Sequence, residues 1–527
     1  MNLAPLAAPE STYVVSGPLS IETITRSLLT LLPARHHSIA RHKFSVLDTF
    51  DGRVQRAGAF LTRAGAEGAP LVTWQAARGC GSLVTRVNRP VSFAWDLPDS
   101  PLKRQVAAVI GPRRLLAQAD TEERGSLLDL VDDYGKTVAR LRIACGRARL
   151  AARGAWHEWP ILVTLIGLRG YEKAYEQLAR VVESRPGFER SAESPGTVIL
   201  RHVGAPRHRD AAGRRRVVES TVRADAGAKR IHLSMLADLV ASEPGLRGNL
   251  DTEFLHEFRV AVRRTRSLLG QIRGVFRPDL VQHFAAEFSW IGRLTGPPRD
   301  VDVLAIALRE RDGEFGTDDM DALIAFVTQK QQQEYATLVE ALDSDRYRSL
   351  LADWRAFLES PISSAPEAEH AGNSLGAVVS RRAWRLSRRI ARRAKAVGDR
   401  TAAQELHRVR IDAKKLRYLV DATPDFYAPS DLDCIMTALK KMQRALGDFN
   451  DACVQQQLLL DSSNALRLSG GPIGARRTLG LLAERCDQRR GVLRTGAIEA
   501  LSRFRARSVR RACRRAFKQA YAEERSR

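Results

Sequence analysis

Paired cysteines, aromatic side chains and long apolar runs are all scarce in this chain of 527 residues. The six cysteines, Cys80, Cys145, Cys434, Cys453, Cys486 and Cys513, stand alone without any Cys-x-x-Cys spacing. That argues against a zinc cluster or a disulfide framework and fits a reducing cytoplasm. Aromatic residues make up 6% of the chain, and only Phe258 and Trp384 fall inside its three basic helical stripes, the two that begin at His256 and His407 and the one from Arg381 to Arg392. Stacking of single-stranded nucleic acid on aromatic platforms therefore has little support, and no helix-turn-helix, P-loop or zinc-finger spacing is present. The longest nearly apolar run, Pro160 to Leu168, is far shorter than the roughly 20 residues that span a bilayer, so no transmembrane helix and no membrane partner are expected. The opening Met1-Asn2-Leu3-Ala4-Pro5 has neither the basic flank nor the apolar stretch of a secretory signal.

Positive charge is abundant. The net charge is +24, with 84 Lys and Arg against 60 Asp and Glu, which points to an acidic partner through electrostatic steering. Residues up to 222 carry +11 and the rest +13, so the excess is spread along the chain and only local clustering is informative. Arg381 to Arg417 holds 14 basic and 3 acidic residues, and Arg503 to Lys518 holds 8 basic and none acidic.

This length predicts more than one domain. Short β-type runs at Thr12–Ser16, Phe44–Leu47, Leu71–Gln75 and Val91–Trp95, flanked by helical runs at Ser20–Leu32 and Ile161–Val182, predict an α+β domain over 8–184. Residues 185–222 gather proline, glycine and arginine with little period and read as a linker. From 223 to 522 Ala, Leu, Arg and Glu recur at helical spacing, with breaks near Pro244, Pro278, Pro297, Pro366, Pro424 and Pro472, which predicts an all-α domain.

Inside that domain two stretches match at an offset of 151 residues, giving repeats of about 223–372 and 373–522. One carries His256, Arg259, Arg263, Arg264 and Arg266; the other carries His407, Arg410, Lys414, Lys415 and Arg417. The register persists to Gly296 and Gly447 and to Asp300 and Asp451, and upstream to Arg230 and Arg381. On a helix the histidine and the basic residues 3, 7 and 10 positions later share an arc of about 80°. A stripe of like charge repels itself unless something negative lies along it. Arg381, Arg385, Arg388 and Arg392 form a third stripe, and symmetry would bring the stripes towards one groove suited to a linear chain of phosphates. The alternatives are solvated helix faces, core histidines at 256 and 407, and Asp300 and Asp451 acting as helix N-caps rather than orienting the arginines.

These residues resemble the CHAD family, over roughly residues 223 to 520. Both His-x-x-Arg-x-x-x-(Arg/Lys)-(Arg/Lys)-x-Arg helices are present, as are the acidic segments Arg299-Asp300-Val301-Asp302 and Gly447-Asp448-Phe449-Asn450-Asp451. The resemblance implies two pseudo-symmetric helical bundles with a basic groove that binds inorganic polyphosphate, often in association with polyphosphate granules. The implied contacts are His256, Arg259, Arg263, Arg264, Arg266, His407, Arg410, Lys414, Lys415 and Arg417. Helical geometry adds Arg381, Arg385, Arg388, Arg293, Lys440 and Lys441.

The N-terminal part resembles a CYTH domain, a triphosphate-tunnel fold of mostly antiparallel strands. The likeness rests on Leu47-Asp48-Thr49-Phe50-Asp51, on Gly58 to Arg63, on Tyr134-Gly135-Lys136 to Arg142, and on Gly170-Tyr171-Glu172-Lys173-Ala174. The metal-holding Glu-x-Glu-x-Lys strand of that family is absent, for the chain there reads Glu10-Ser11-Thr12-Tyr13-Val14. The expectation is a non-catalytic, cytoplasmic, polyphosphate-binding protein with a degenerate tunnel domain and no metal or cofactor. A metal-dependent triphosphatase and a nucleic-acid-binding protein are the alternatives.

Overall fold

Tyr13 and Val15 point one way along the first strand and Glu10 and Val14 the other, so this short run already has two faces to cover. In the computed structural model, which describes residues 10–65, 69–76, 82–151, 154–205, 218–309, 317–398, 401–468 and 470–519, that strand is part of a nine-stranded antiparallel sheet among the described residues. Its elements are β1 (Glu10–Val15), α1 (Ile21–Leu29), β2 (Ala34–Asp48), α2 (Arg53–Arg56), β3 (Ala59–Ala64), β4 (Leu71–Ala76), β5 (Ser82–Arg86), α3 (Pro101–Ile110), β6 (Leu116–Val131), β7 (Thr137–Leu150), β8 (His157–Gly167), α4 (Glu172–Glu183), β9 (Phe188–Ser191) and α5 (Pro195–His202). The strand order is β5-β4-β3-β2-β6-β7-β8-β1-β9. The chain divides into two compact units, Met1–Asp210 and Ala211–Arg527.

One face of the sheet packs under α1 and α4, where Leu128, Leu141, Ile143, Val163, Leu165 and Tyr13 meet Ile24, Leu28 and Leu178. The other face receives α5, whose Val198, Ile199 and Leu200 bury against Phe44, Val46, Ala144, Trp159 and Leu162. Gly196 makes that approach possible, since a Cβ there would lie 2.0 Å from the Phe60 ring.

Three expectations for this unit need correction. Residues 185–222 are not all linker, because β9 and α5 lie within them. Pro195 stands in the first turn of α5 behind the N-cap Ser194, so a residue read as a chain breaker begins a helix. Residues 161–167 are the end of β8, not a helix: Ile161, Val163, Thr164 and Ile166 are β-branched, and the helix starts only after Gly170, which sits at φ +86°. Val91–Trp95 is not a strand and leads into a 3-10 turn at Ala94–Asp96. The strands at Glu10–Val15 and Leu71–Ala76 and the helix at Ile21–Leu29 lie where the sequence put them.

The second unit is all-helical among its described residues: α6 (Ala224–Arg247), α7 (Thr252–Gln271), α8 (Pro278–Leu294), α9 (Gly296–Arg309), α10 (Thr317–Asp343), α11 (Asp345–Glu359), α12 (Leu375–Ala396), α13 (Ala403–Ala422), α14 (Pro429–Leu468), α15 (Ile473–Phe504) and α16 (Arg507–Cys513). The main core joins α6, α7, α8, α11, α12, α13 and the first half of α14 around Phe254, Phe258, Phe288, Trp354, Leu386, Leu416 and Leu439. A second core forms where α9, α10, α14 and α15 meet around Leu304, Leu323, Leu459 and Leu479.

The 151-residue offset maps α7 onto α13, and α8 with α9 onto the single 40-residue α14. Pro297 and Pro298 explain the difference, because proline lacks the N–H that would continue α8, whereas Asp448 and Phe449 in the second copy carry it through. Gly447 therefore lies inside a helix, and Asp451 is not an N-cap. Asp300 lies within the first turns of α9 and is not one either. Pro244 stands in the last turn of α6, which ends at Arg247, next to the break read there from the sequence.

Candidate functional site

Leu255, Phe258, Val262, Thr265 and Leu269 anchor one side of α7 in the core, and Leu406, Val409, Ala413, Leu416 and Val420 do the same for α13. With the apolar residues fixed inward, the helical period leaves the basic residues on the flanks. α7 and α13 pack against each other, and the Arg264 guanidinium lies 6.0 Å from the Tyr418 ring centroid.

Lys414 registers how closely the two stripes meet. Burial and the charges of Arg410, Arg263 and Arg417 push its ammonium down to about 8, against the opposing pull of Asp451. Arg263 belongs to one copy of the motif and Arg410, Lys414 and Arg417 to the other, so cations from both copies share one field. Arg259 behaves alike: burial and Arg263 lower it to about 10, although Asp300 opposes the shift.

The arginines are held from behind. Arg259 Nη1 donates to Thr295 Oγ1 at 3.0 Å, and Arg410 Nη2 donates to Asp451 Oδ1 at 3.4 Å. Arg417 donates from Nη1 to Gln443 Oε1 at 2.9 Å and from Nε to Asp421 at 3.2 Å. His407 Nδ1 donates to Asn450 Oδ1 at 2.8 Å, which leaves Nε2 for another partner. The Nε atoms of Arg263, Arg264 and Arg410 are buried and have no acceptor among the described residues. A buried donor without an acceptor costs free energy that an incoming oxyanion removes.

Asp300 and Asp451 thus act on the arginines of their own copies, one of the two roles left open by the sequence. The copies differ in detail. Where the second has Asn450 and Gln443, the first has Arg299 and Gly292, and a Cβ at Gly292 would lie 3.5 Å from Arg266 Nη1. Arg299 belongs to the basic surroundings of Arg259 and was missed by the sequence reading. Its place opposite Asn450 in the repeat was the available signal. Beside it Asp302, wholly buried, accepts from Gln331 Nε2 at 2.6 Å and the Tyr335 hydroxyl at 2.9 Å, and burial raises it to about 6.

The remaining candidates are dispersed. Arg293, Lys440 and Lys441 are exposed on α8 and α14, and Lys415 is partly exposed on α13. The exposed Arg388 lies 5.9 Å from the Trp384 ring centroid. Arg381 and Arg385 border a cleft with Gln271, at the end of α7. α12 meets α13 through a different row, Arg389 at 3.9 Å and Arg393 at 2.6 Å from the buried Asp412. Asp412 is about 160° around α13 from Lys414.

In the first unit two adjoining cavities of about 190 and 300 Å³ lie on the α5 side of the sheet, sharing Phe60, Gln75, Arg142, Thr164 and Pro195. Their carboxylates are Glu123, bonded to Arg142, and Glu10, which burial raises to about 7. Arg63 shares the face of Leu61 in β3, opposite to the cavity-lining Phe60 and Thr62. Glu10 is the only carboxylate in the strand where two glutamates would be needed, so these residues do not fit a metal–triphosphate site.

Residues 230–460 match the family model of the CHAD domain. Two curated proteins of Mycobacterium tuberculosis, strains CDC 1551 / Oshkosh and ATCC 25618 / H37Rv, both described as uncharacterized, are 29% identical over 266 residues. The overlap takes in 44% of this chain and 46% of theirs, so the chain spans about half the length of the curated relatives it matches. The crystal structure of the CHAD domain from the plant Ricinus communis is similar at 24% identity with a TM-score of 0.47, covering 55% of this chain and 94% of that one. A Hippeastrum protein named for adenylyl cyclase and described as having a dominant triphosphatase activity is similar at 14% identity with a TM-score of 0.26, covering 38% of this chain and 97% of that one.

Proposed function

With residues 230–460 identified as a CHAD domain, we propose that the chain binds inorganic polyphosphate along the α7–α13 cluster and does not turn it over. One observation carries the reading: where α7 packs on α13, Arg263 and Arg264 of one copy and Arg410 of the other hold buried Nε donors with no acceptor among the described residues, and burial together with Arg410, Arg263 and Arg417 lowers Lys414 among them. Such a cluster is stabilised by a ligand with closely spaced negative charges, and arginine grips phosphate oxygens bidentately. His256, Arg259, Arg264, Arg266, His407 and Lys415 extend the contact along the two helices, and Arg293, Lys440 and Lys441 offer exposed charge at its edges. Arg388 of α12 serves the approach of the anion by steering, whereas Arg381 and Arg385 on the same helix border the cleft at the end of α7 and take no part in this contact.

Binding at this cluster fits association with polyphosphate granules in the cytoplasm. The N-terminal sheet serves as a scaffold: its strand β1 offers Glu10, Thr12 and Val14 at the positions where the tunnel family needs two glutamates and a lysine, and α5 fills part of its interior face. Nucleic acid is a weaker competitor, because the cluster offers few aromatic faces for bases.

Competition between long-chain polyphosphate and DNA or RNA at physiological salt tests the reading, with Arg259→Ala/Arg410→Ala as the control. Polyphosphate retained against nucleic acid, and lost in the double variant, is the expected outcome. Displacement by nucleic acid, or unchanged binding by the variant, overturns it. Phosphate release from tripolyphosphate with Mg²⁺ or Mn²⁺ should stay at background; turnover that disappears on mutating Glu10 or Glu123 would refute the non-catalytic part.

A further inference from the structure

A second concentration of arginine lies away from the motif residues, in the cleft of about 550 Å³ between the end of α7 and the start of α12. Arg273, Arg381, Arg382 and Arg385 border it, with Gln271, His370 and Asn373. Among the described residues that border it none is a carboxylate, and the neighbouring Glu369 lies 3.6 Å from the His370 ring. Arg382 is fixed by a neutral group: its Nε and Nη2 both donate to Gln271 Oε1, at 2.9 and 2.7 Å. Arg273 Nε donates to the Gly270 carbonyl at 3.2 Å, at the C-terminal end of α7 where the helix dipole favours a cation. The wall behind them turns sharply at Gly274, φ +72°, whose carbonyl accepts from the His370 N–H at 2.7 Å. Burial and the charges of Arg273, Arg389 and Arg385 lower Arg382 to about 10. The carboxylate that opposes this, Asp412, is already engaged by Arg389 and Arg393.

This cleft has no counterpart in the repeat. At the offset of 151 residues Arg381 has its partner in Arg230, but Arg382 falls on Ile231, Arg385 on Ser234, Gln271 on Ala422 and Arg273 on Pro424. A groove repeated by the symmetry would carry its chemistry twice. This one occurs once, where Arg273 at the end of α7 in the first copy meets Arg381, Arg382 and Arg385 of α12 in the second, and its four cations border one compact volume.

We infer that the α7–α12 cleft is a separate site for a small, multiply phosphorylated ligand, whose run of three or more adjacent phosphates is gripped by Arg273, Arg381, Arg382 and Arg385. Each phosphate adds about one to two negative charges near neutral pH, so a triphosphate arm balances four guanidinium groups. His370 and Asn373 lie beside the arginines, where a polar remainder of the ligand would be met. Inorganic oligophosphate and the triphosphate arm of a nucleotide share this chemistry. The inference does not depend on the α7–α13 reading, because none of the four arginines belongs to α7 or α13 within that cluster.

Titration calorimetry on the full chain at physiological salt, with tripolyphosphate and with ATP, tests it. Arg385→Glu is the working variant, because Arg385 is exposed and lies outside the packed core. It should weaken tripolyphosphate at least tenfold and long-chain polyphosphate less than twofold. Arg510→Glu, at an exposed arginine of α16, changes the net charge equally and should leave tripolyphosphate within twofold. Arg263→Ala/Lys414→Ala should do the reverse of Arg385→Glu. ATP that binds as tightly as tripolyphosphate and is lost with it identifies a nucleotide arm; ATP at least tenfold weaker identifies inorganic oligophosphate. No tripolyphosphate binding, binding indifferent to Arg385→Glu, or loss of both ligands together in either variant overturns the separate site. If the Arg263/Lys414 variant leaves long-chain binding intact, the α7–α13 reading falls while the cleft stands.

Discussion

Two arginine rows in this molecule look alike in sequence and are treated in opposite ways. On β7, Arg140, Arg142, Arg147 and Arg149 each meet a carboxylate of β6, namely Asp129, Glu123, Glu122 and Asp120. Along α7 and α13 the basic residues outnumber the nearby acids, and Asp300 and Asp451 steer single arginines without neutralising the group. Charge matched one to one across a strand pair specifies the pairing and leaves nothing for a ligand. Charge gathered in excess of its partners repels itself in the free protein, and that repulsion is relieved on binding an anion.

The largest effect separates the two rows directly. Arg263→Ala/Lys414→Ala removes two charge-assisted contacts of about 1.5–3 kcal/mol each, so long-chain polyphosphate should bind at least about 100-fold more weakly, with a salt dependence shallower by about two. Arg147→Ala/Arg149→Ala should leave that affinity within twofold, read in the same calorimetric titration.

Asp302 gives the next effect, on stability. Its folded pKa, about 6, lies above the ordinary carboxylate value of 3.8, so the folded state binds the proton more tightly than the unfolded one. The stability tied to that proton is fully present below about pH 4 and lost as pH rises through 6. Asp302→Asn should therefore stabilise the helical unit by about 1–3 kcal/mol above pH 7 and by nothing below pH 4, as followed by denaturant unfolding across pH.

Lys414 should make binding depend on pH from the alkaline side. With its ammonium at about 8 in the free protein, polyphosphate affinity should fall up to about tenfold between pH 7 and pH 9 as the proton must be supplied before binding. Lys414→Arg should flatten that profile. A smaller effect is expected on the matched row. Glu122, held near 2 by Arg41, Arg147 and Lys43 against the cost of burial, contributes stability that is present above about 4.5 and lost as pH falls towards 2. Glu122→Gln should lower the melting temperature of the first unit by a few degrees at pH 7, with the difference vanishing near pH 2.

Much of this was legible in the sequence because it depends on period. The stripes on α7 and α13 follow from the spacing of His256 and His407 to their basic residues, and the all-α character of the second unit follows from unbroken helical repeat. What escaped depends on contacts between distant residues. β6 and β7 were not singled out as strands, since β6 runs Asp120-Thr121-Glu122-Glu123-Arg124 without an apolar residue and β7 has Gly146 in its middle. α5 hid in an apparent linker because Pro195 and Gly196 begin a helix there, and only Phe60 explains why a glycine is needed. The grouping of Arg273 with Arg382 and Arg385 required the fold, since α7 and α12 are separated by more than 100 residues.

Crystals of the chain with a short inorganic polyphosphate would decide the matter most directly. Phosphate oxygens should lie between α7 and α13, within hydrogen-bond distance of the Nε atoms of Arg263, Arg264 and Arg410. A bound polyphosphate that left those three donors untouched and followed another surface would contradict the assignment.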